Sequence, residues 1–77
     1  MKEIIIVTGA SSGMGREFAM QIEKKYQVDE IWVIARRKER LEFLEEKLQT
    51  KVRIFALDIT QKEHLEIIQE ALFQENS

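Results

Sequence analysis

Ile4-Ile5-Ile6-Val7-Thr8-Gly9-Ala10-Ser11-Ser12-Gly13-Met14-Gly15 is the stretch whose reading decides the fold. Ile4 to Val7 is a continuous β-branched run, the pattern of a strand covered on both faces. From Met14 the apolar residues Met14, Phe18, Ala19, Ile22 and Tyr26 recur at helical spacing. The loop between strand and helix holds all three glycines of the chain. Gly9 suits the tight turn out of the strand, and Gly15 suits close packing of the helix on the sheet. Gly13 lets backbone approach a pyrophosphate with no Cβ in the way. The first N–H groups of the helix, around Met14, lack internal partners, and the helix dipole favours an anion there. Ser11 and Ser12 add hydroxyls for phosphate or ribose. The alternative is a glycine-rich turn without a ligand. A P-loop is disfavoured, because no Gly-Lys-Ser/Thr follows.

Working outward, the strand–helix alternation repeats. Ile31 to Ala35 reads as a second buried strand, followed by a charged helix with Leu41, Leu44 and Leu48 on one face. Val52 to Leu57 reads as a third strand. Thr60 and Glu63 have the spacing of a capping box for a third helix carrying Leu65, Ile68 and Leu72 on one face, with Ala71 beside them. The order β-α-β-α-β-α implies right-handed crossovers and a parallel sheet. The expected fold class is α/β: one Rossmann-like half domain over residues 1–77, with strand order 3-2-1. In a complete doubly wound fold a fourth strand would pair with the first. Here the first strand is expected to be an open edge, and the chain reads as a piece of something larger or one part of an assembly.

Composition narrows the function. A net charge of −2 gives no basic field for nucleic acid. The longest apolar run, Ile4 to Val7, is too short for a membrane span, and no signal-peptide h-region follows it. With no cysteine there are no disulfides or thiolate metal sites, and a reducing cytoplasm is the expected setting. His64 is the lone histidine; it reads as a solvated helical residue, since a metal would need further ligands at suitable spacing. Trp32 reads as core. Phe43 and Phe73 lie off the main apolar faces.

In dinucleotide-binding folds a carboxylate roughly 20 residues past the glycine loop often holds the ribose 2′-hydroxyl. That count from Gly15 reaches Ala35-Arg36-Arg37, with no acid present. A carboxylate would repel a 2′-phosphate, whereas a guanidinium pairs with it in a forked geometry. This favours NADP over NAD. The alternative is a solvated basic loop.

The pattern Thr-Gly-x-x-x-Gly-x-Gly, with the whole stretch Thr8 to Ala19, closely resembles the cofactor loop of the short-chain dehydrogenase/reductase family. The resemblance implies that Gly9, Ser11, Ser12, Gly13, Met14 and Gly15 bind the nucleotide. It also implies that Arg36 meets the 2′-phosphate of NADP, with Arg37 as a helper or an ordinary helix-start residue. Ser12 stands where some NADP-preferring relatives carry a second basic residue, which weakens the preference. Leu57-Asp58-Ile59-Thr60 is similar to the family's Leu-Asp-Val-Thr element. That similarity makes Asp58 an acceptor for the adenine amino group and the Ile59 amide a contact to the ring. The alternative is that Asp58 only helps start the third helix.

The family's hydride chemistry uses a tyrosine four residues before a lysine, with an upstream serine. The one tyrosine here is Tyr26, and position 30 is Glu, so the pair is absent, as is an Asn-Asn-Ala-Gly element. No catalytic residue is therefore assigned. The resemblance implies the NADP(H)-binding portion of an oxidoreductase, catalytically incomplete alone. The other reading is a non-catalytic nucleotide-binding or assembly module that pairs through its first strand with a second copy or a complementing C-terminal half.

Overall fold

Every residue from Glu30 to Ala35 is buried, and the other elements are built around that strand. The computed structural model describes residues 2–9 and 13–75. Its elements are β1 (Ile4–Thr8), α1 (Gly13–Lys25), β2 (Glu30–Ala35), α2 (Lys38–Lys47), β3 (Lys51–Ala56) and α3 (Lys62–Glu75). The strands form one parallel sheet in the order β1-β2-β3, the expected arrangement. Ile4 pairs with Glu30 and Thr8 with Ile34; on the other side Glu30 pairs with Lys51 and Ala35 with Ala56. All three strands therefore end at one edge, and their C-terminal residues are neighbours.

Side-chain alternation divides the core into two layers. Ile31, Val33 and Ala35 of β2, with Val7 of β1, meet Ala19 of α1 and Leu41, Leu44 and Leu48 beside and within α2. On the opposite face Trp32, Ile34 and Phe55 meet Ile68 and Ala71 of α3. Trp32 is fully buried, with its ring centroid 5.1 Å from that of Phe55 at a tilt of 46°. Such a pair adds about 0.5–1.5 kcal/mol beyond its area burial. The Arg53 guanidinium covers both rings, at 5.0 and 5.1 Å from the centroids.

Polar ties close the ends of the elements. Asp29 accepts the Glu3 N–H on Oδ2 at 2.7 Å, while the Asp29 N–H donates to the Glu3 carbonyl at 2.9 Å, locking the start of the β1–β2 pairing. Glu23 of α1 accepts the N–H groups of Gln49 and Thr50 at 2.8 and 2.6 Å, so one carboxylate oxygen satisfies the turn before β3. Buried Glu30 lies 2.7 Å from the Lys2 ammonium, which also reaches Glu75 at 2.8 Å. The enclosed Trp32 indole N–H is near enough to help hold Glu30 ionised, though neither it nor the Lys2 contact has hydrogen-bond geometry.

Several expectations need correction. The strand starts fall at Glu30 and Lys51, one residue earlier than the apolar runs suggest, because ladder pairing extends over the polar residues. The Thr60–Glu63 capping box does not form: α3 begins at Lys62, and the Thr60 hydroxyl donates to Asp58 instead. The apolar stripe of α1 is only partly buried. Ala19 is enclosed, but Met14 is 87% and Phe18 54% exposed, because the helix rests on the sheet along a narrow line. Leu65 of α3 is likewise exposed, while Ile68 and Ala71 are buried. The run Ile4 to Val7 reads as covered on both faces, yet Ile6 is partly open to solvent; that β1 is an edge of the sheet is as expected.

Candidate functional site

The C-terminal edge of the sheet forms a crevice of about 310 Å³ lined by Thr8 and Gly9, by Ile34, Ala35 and Arg36, and by Leu57, Asp58 and Ile59. Each strand contributes its last residues or those just beyond them. In open α/β sheets this is where ligands bind. A larger hollow of about 460 Å³ lies at the opposite end, between the starts of β1 and β2 and the end of α1. Its lining is mostly apolar, with Ile4, Ile5, Ile22, Tyr26 and Val28 beside Glu3 and Gln27, and it holds none of the candidate site residues.

Two glycines of the loop have different physical reasons. Gly9 has φ +67°, a left-handed conformation that L side chains adopt only with strain. Gly13 has no such need, and a Cβ placed there would meet no protein atom within 4 Å. The fold therefore leaves open space beside the first turn of α1, where the helix dipole favours an anion. This open space is the cradle in which the glycine loop is expected to hold a diphosphate. Met14 is exposed in that same turn, and Gly15 is half-buried. Ser11 and Ser12 lie outside the described residues.

At the floor of the crevice, Asp58 is fixed by its neighbours. Its Oδ1 accepts the Thr60 N–H at 3.0 Å and the Thr60 hydroxyl at 2.6 Å. Those bonds hold the carboxyl below its ordinary value of 3.8, and the charge of Arg36 acts in the same direction. Arg36 is exposed at the end of β2 and lines the crevice with Asp58. Arg37 is also exposed, takes the N-cap position of α2 without a side-chain cap bond, and is not part of the lining. Ile59, 41% exposed, presents an apolar surface at the rim. Thus the structure brings Gly9, Arg36, Asp58 and Ile59 together around one opening, with the open start of α1 at Gly13 following the glycine turn.

Sequence reasoning passed over Thr8, Ile34, Ala35 and Leu57 as site residues. The signal was available: in a parallel sheet the last residues of adjacent strands must share an edge. His64 is a correction. It is not a freely solvated histidine: its Nδ1 accepts the Asp58 N–H at 2.9 Å in a part-buried position. Among the described residues no three His, Cys, Asp or Glu side chains are placed to hold a metal ion, and no helix is long and apolar enough to cross a membrane.

A family model described as short chain dehydrogenase matches residues 3–76. A protein of Pinus massoniana named 11-beta-hydroxysteroid dehydrogenase is 35% identical over 65 residues, covering 79% of this chain and 18% of that protein. Two solved structures superpose closely. The bulky-bulky ketone specific alcohol dehydrogenase from Comamonas testosteroni matches with TM-score 0.74 and 25% identity, over 92% of this chain and 30% of that one. The KRED1-Pglu enzyme matches with TM-score 0.77 and 30% identity, over 90% of this chain and 29% of that one. The chain thus spans less than a third of the length of each relative.

Proposed function

This chain belongs to the short-chain dehydrogenase family, and from that membership we propose that it binds the adenosine end of a nicotinamide adenine dinucleotide, with NADP preferred to NAD. The carrying observation is the crevice at the C-terminal edge of the sheet, which joins Gly9, Arg36, Asp58 and Ile59. Its neighbour is the open space beside Gly13. In this reading the diphosphate lies along Gly9 to Gly15 and takes the first N–H groups of α1, with Ser11 and Ser12 as further donors. Arg36 pairs with the 2′-phosphate, and Arg37 adds charge from the α2 N-cap without lining the crevice. Asp58 accepts the adenine amino group, and Ile59 packs against the ring.

The parent reaction is hydride transfer between NADPH and a carbonyl or alcohol, in keeping with the ketone and hydroxysteroid dehydrogenases this chain resembles. The dinucleotide, when bound, supplies or accepts the hydride. This chain's own residues bind and orient its adenosine end. No tyrosine in the sequence stands four residues before a lysine, so the 77 residues alone are expected to be catalytically inert.

The test is a titration of NADP into the ¹⁵N-labelled protein. Amides of Gly9, Gly13, Met14, Gly15, Arg36, Asp58 and Ile59 are expected to shift together, and no NADPH oxidation is expected with carbonyl substrates. A well-dispersed spectrum that saturating NADP leaves unchanged refutes the reading. The open edge of β1 favours a second reading, in which another strand adds to it from a second copy or a separate polypeptide. Light scattering that shows a strict monomer at all concentrations counts against the second copy.

A further inference from the structure

We infer that His64 is the positioning residue of the adenine subsite, acting through the Asp58 peptide rather than by touching the nucleotide. This rests on the reading of Asp58 given above.

The geometry starts from an N–H that the sheet does not satisfy. β3 ends at Ala56, so the Asp58 N–H lies beyond the ladder with β2. His64 reaches back from the first turn of α3 and accepts it on Nδ1 at 2.9 Å. The ring therefore carries no proton on Nδ1 in this arrangement. The Asp58 carbonyl accepts the Gln61 N–H at 2.9 Å, and the Gln61 carbonyl accepts the His64 N–H at 3.1 Å. Thr60 donates twice to Asp58 Oδ1. Asp58 is thus held at its N–H by the His64 side chain, at its carbonyl by Gln61 and at its carboxylate by Thr60.

The consequence is chemical selectivity. A carboxylate fixed in this way presents an acceptor to the exocyclic amino group of adenine. Hypoxanthine carries a carbonyl oxygen there, which repels it. Without the imidazole acceptor the peptide leading into Asp58 is no longer held at its N–H, and the carboxylate, although still bonded to Thr60, loses its fixed orientation toward the amino group. The loss should therefore fall on base discrimination, whereas a merely structural histidine would weaken every nucleotide alike.

The experiment compares NADP with its deaminated hypoxanthine analogue on the full chain carrying His64→Leu or His64→Asn. Leucine removes the acceptor, while the asparagine Oδ1 stands where Nδ1 stood. The wild type is expected to prefer adenine about tenfold, the size of a hydrogen bond to a charged group. His64→Leu is expected to lose most of that ratio, and His64→Asn to restore it. If the wild type discriminates and His64→Leu still does, the inference is overturned while the nucleotide reading stands. If the wild type binds NADP without preferring adenine, the role of Asp58 falls and that of His64 with it. Should His64→Leu fail to fold, the wild type decides: a scalar coupling across the hydrogen bond between Asp58 N and His64 Nδ1 supports the arrangement, and its absence overturns it.

Discussion

Arg36→Ala is expected to reduce the preference for NADP over NAD by about 5- to 30-fold, which corresponds to about 1–2 kcal/mol. The figure follows from the position of the guanidinium. Two unit charges 4 Å apart interact by about 1 kcal/mol in bulk water and about 4 kcal/mol at the effective dielectric of a protein surface. Arg36 is exposed, so the lower part of that span applies. Asp58 pulls the same way, because its carboxylate shares the crevice with Arg36 and partly cancels the positive field that a phosphate would meet. The doubly charged phosphate and the forked guanidinium raise the value again, though not beyond the range given. Calorimetric titration of NADP and NAD into wild type and variant reads the ratio directly. NAD affinity should hardly change, since NAD has no 2′-phosphate. The wild-type ratio should also shrink as salt is raised, because exposed charges are screened over about 8–10 Å at physiological ionic strength. An unchanged ratio in Arg36→Ala refutes the assignment of the 2′-phosphate to this residue.

Two further perturbations separate fold from site. Gly9→Ala should cost about 1–2 kcal/mol in urea denaturation, since the strain of a positive φ is the whole penalty and the new Cβ has room. Gly13→Ala should leave the fold unharmed or stabilise it by about 0.4–1 kcal/mol, yet weaken NADP binding, because its Cβ fills the cradle. Loss of stability without loss of binding in Gly13→Ala would contradict the cradle. On acidification, Glu30 and Asp58 both titrate below their ordinary values of 4.5 and 3.8, the first chiefly through Lys2 and the second chiefly through Thr60. Their contribution is complete above those values and is lost as pH falls through them toward the folded-state values. Lys2 is raised by Glu30 and Glu75, so its share is complete below 10.5 and fades only in strong alkali. Urea midpoints should therefore be flat around neutrality and fall on the acid side, with a shallower acid limb in Glu30→Gln; an equally steep limb would remove Glu30 from the account.

What could be read from the residues, and what could not, divides along a physical line. The β-branched run Ile4 to Val7, the glycine turn and the Leu41–Leu44–Leu48 stripe are local patterns that a parallel sheet with a buried central strand must obey, and the structure places them as expected. The burial of Trp32 follows in the same way, since every residue of a central strand meets a covering helix. The α1 stripe shows the limit. Its period was correct, but period only states that Met14, Phe18, Ala19, Ile22 and Tyr26 share a side. How much of that side is covered depends on what else packs there, and among the described residues Ala19 alone of the five is buried.

The site divides similarly. Gly9 is legible from the glycine turn, Arg36 from its spacing past Gly15, and Asp58 and Ile59 from the family resemblance of the stretch Leu57 to Thr60. That the four line one opening follows from strand ends in a parallel sheet, which converge whatever the side chains are. Arg37 reads apart from Arg36, as a helper or an ordinary helix-start residue, and it takes the N-cap position of α2 outside the crevice lining. The failure at Thr60 and the surprise at His64 have one cause. Capping rules describe a helix in isolation, in which the threonine hydroxyl should meet the N–H three residues on. Here two stronger local demands compete for it and its neighbours: a carboxylate at Asp58 that takes the hydroxyl, and an N–H past the end of β3 that needs an acceptor. Once Thr60 turns back to Asp58, the helix begins later, at Lys62, and residue 64 falls in its first turn, within reach of the orphaned N–H. A histidine that seemed merely solvated thereby becomes the acceptor that completes the loop. The residue beside the Asp58 carboxylate was hidden because its partner is a backbone group, and backbone groups leave no mark in a motif.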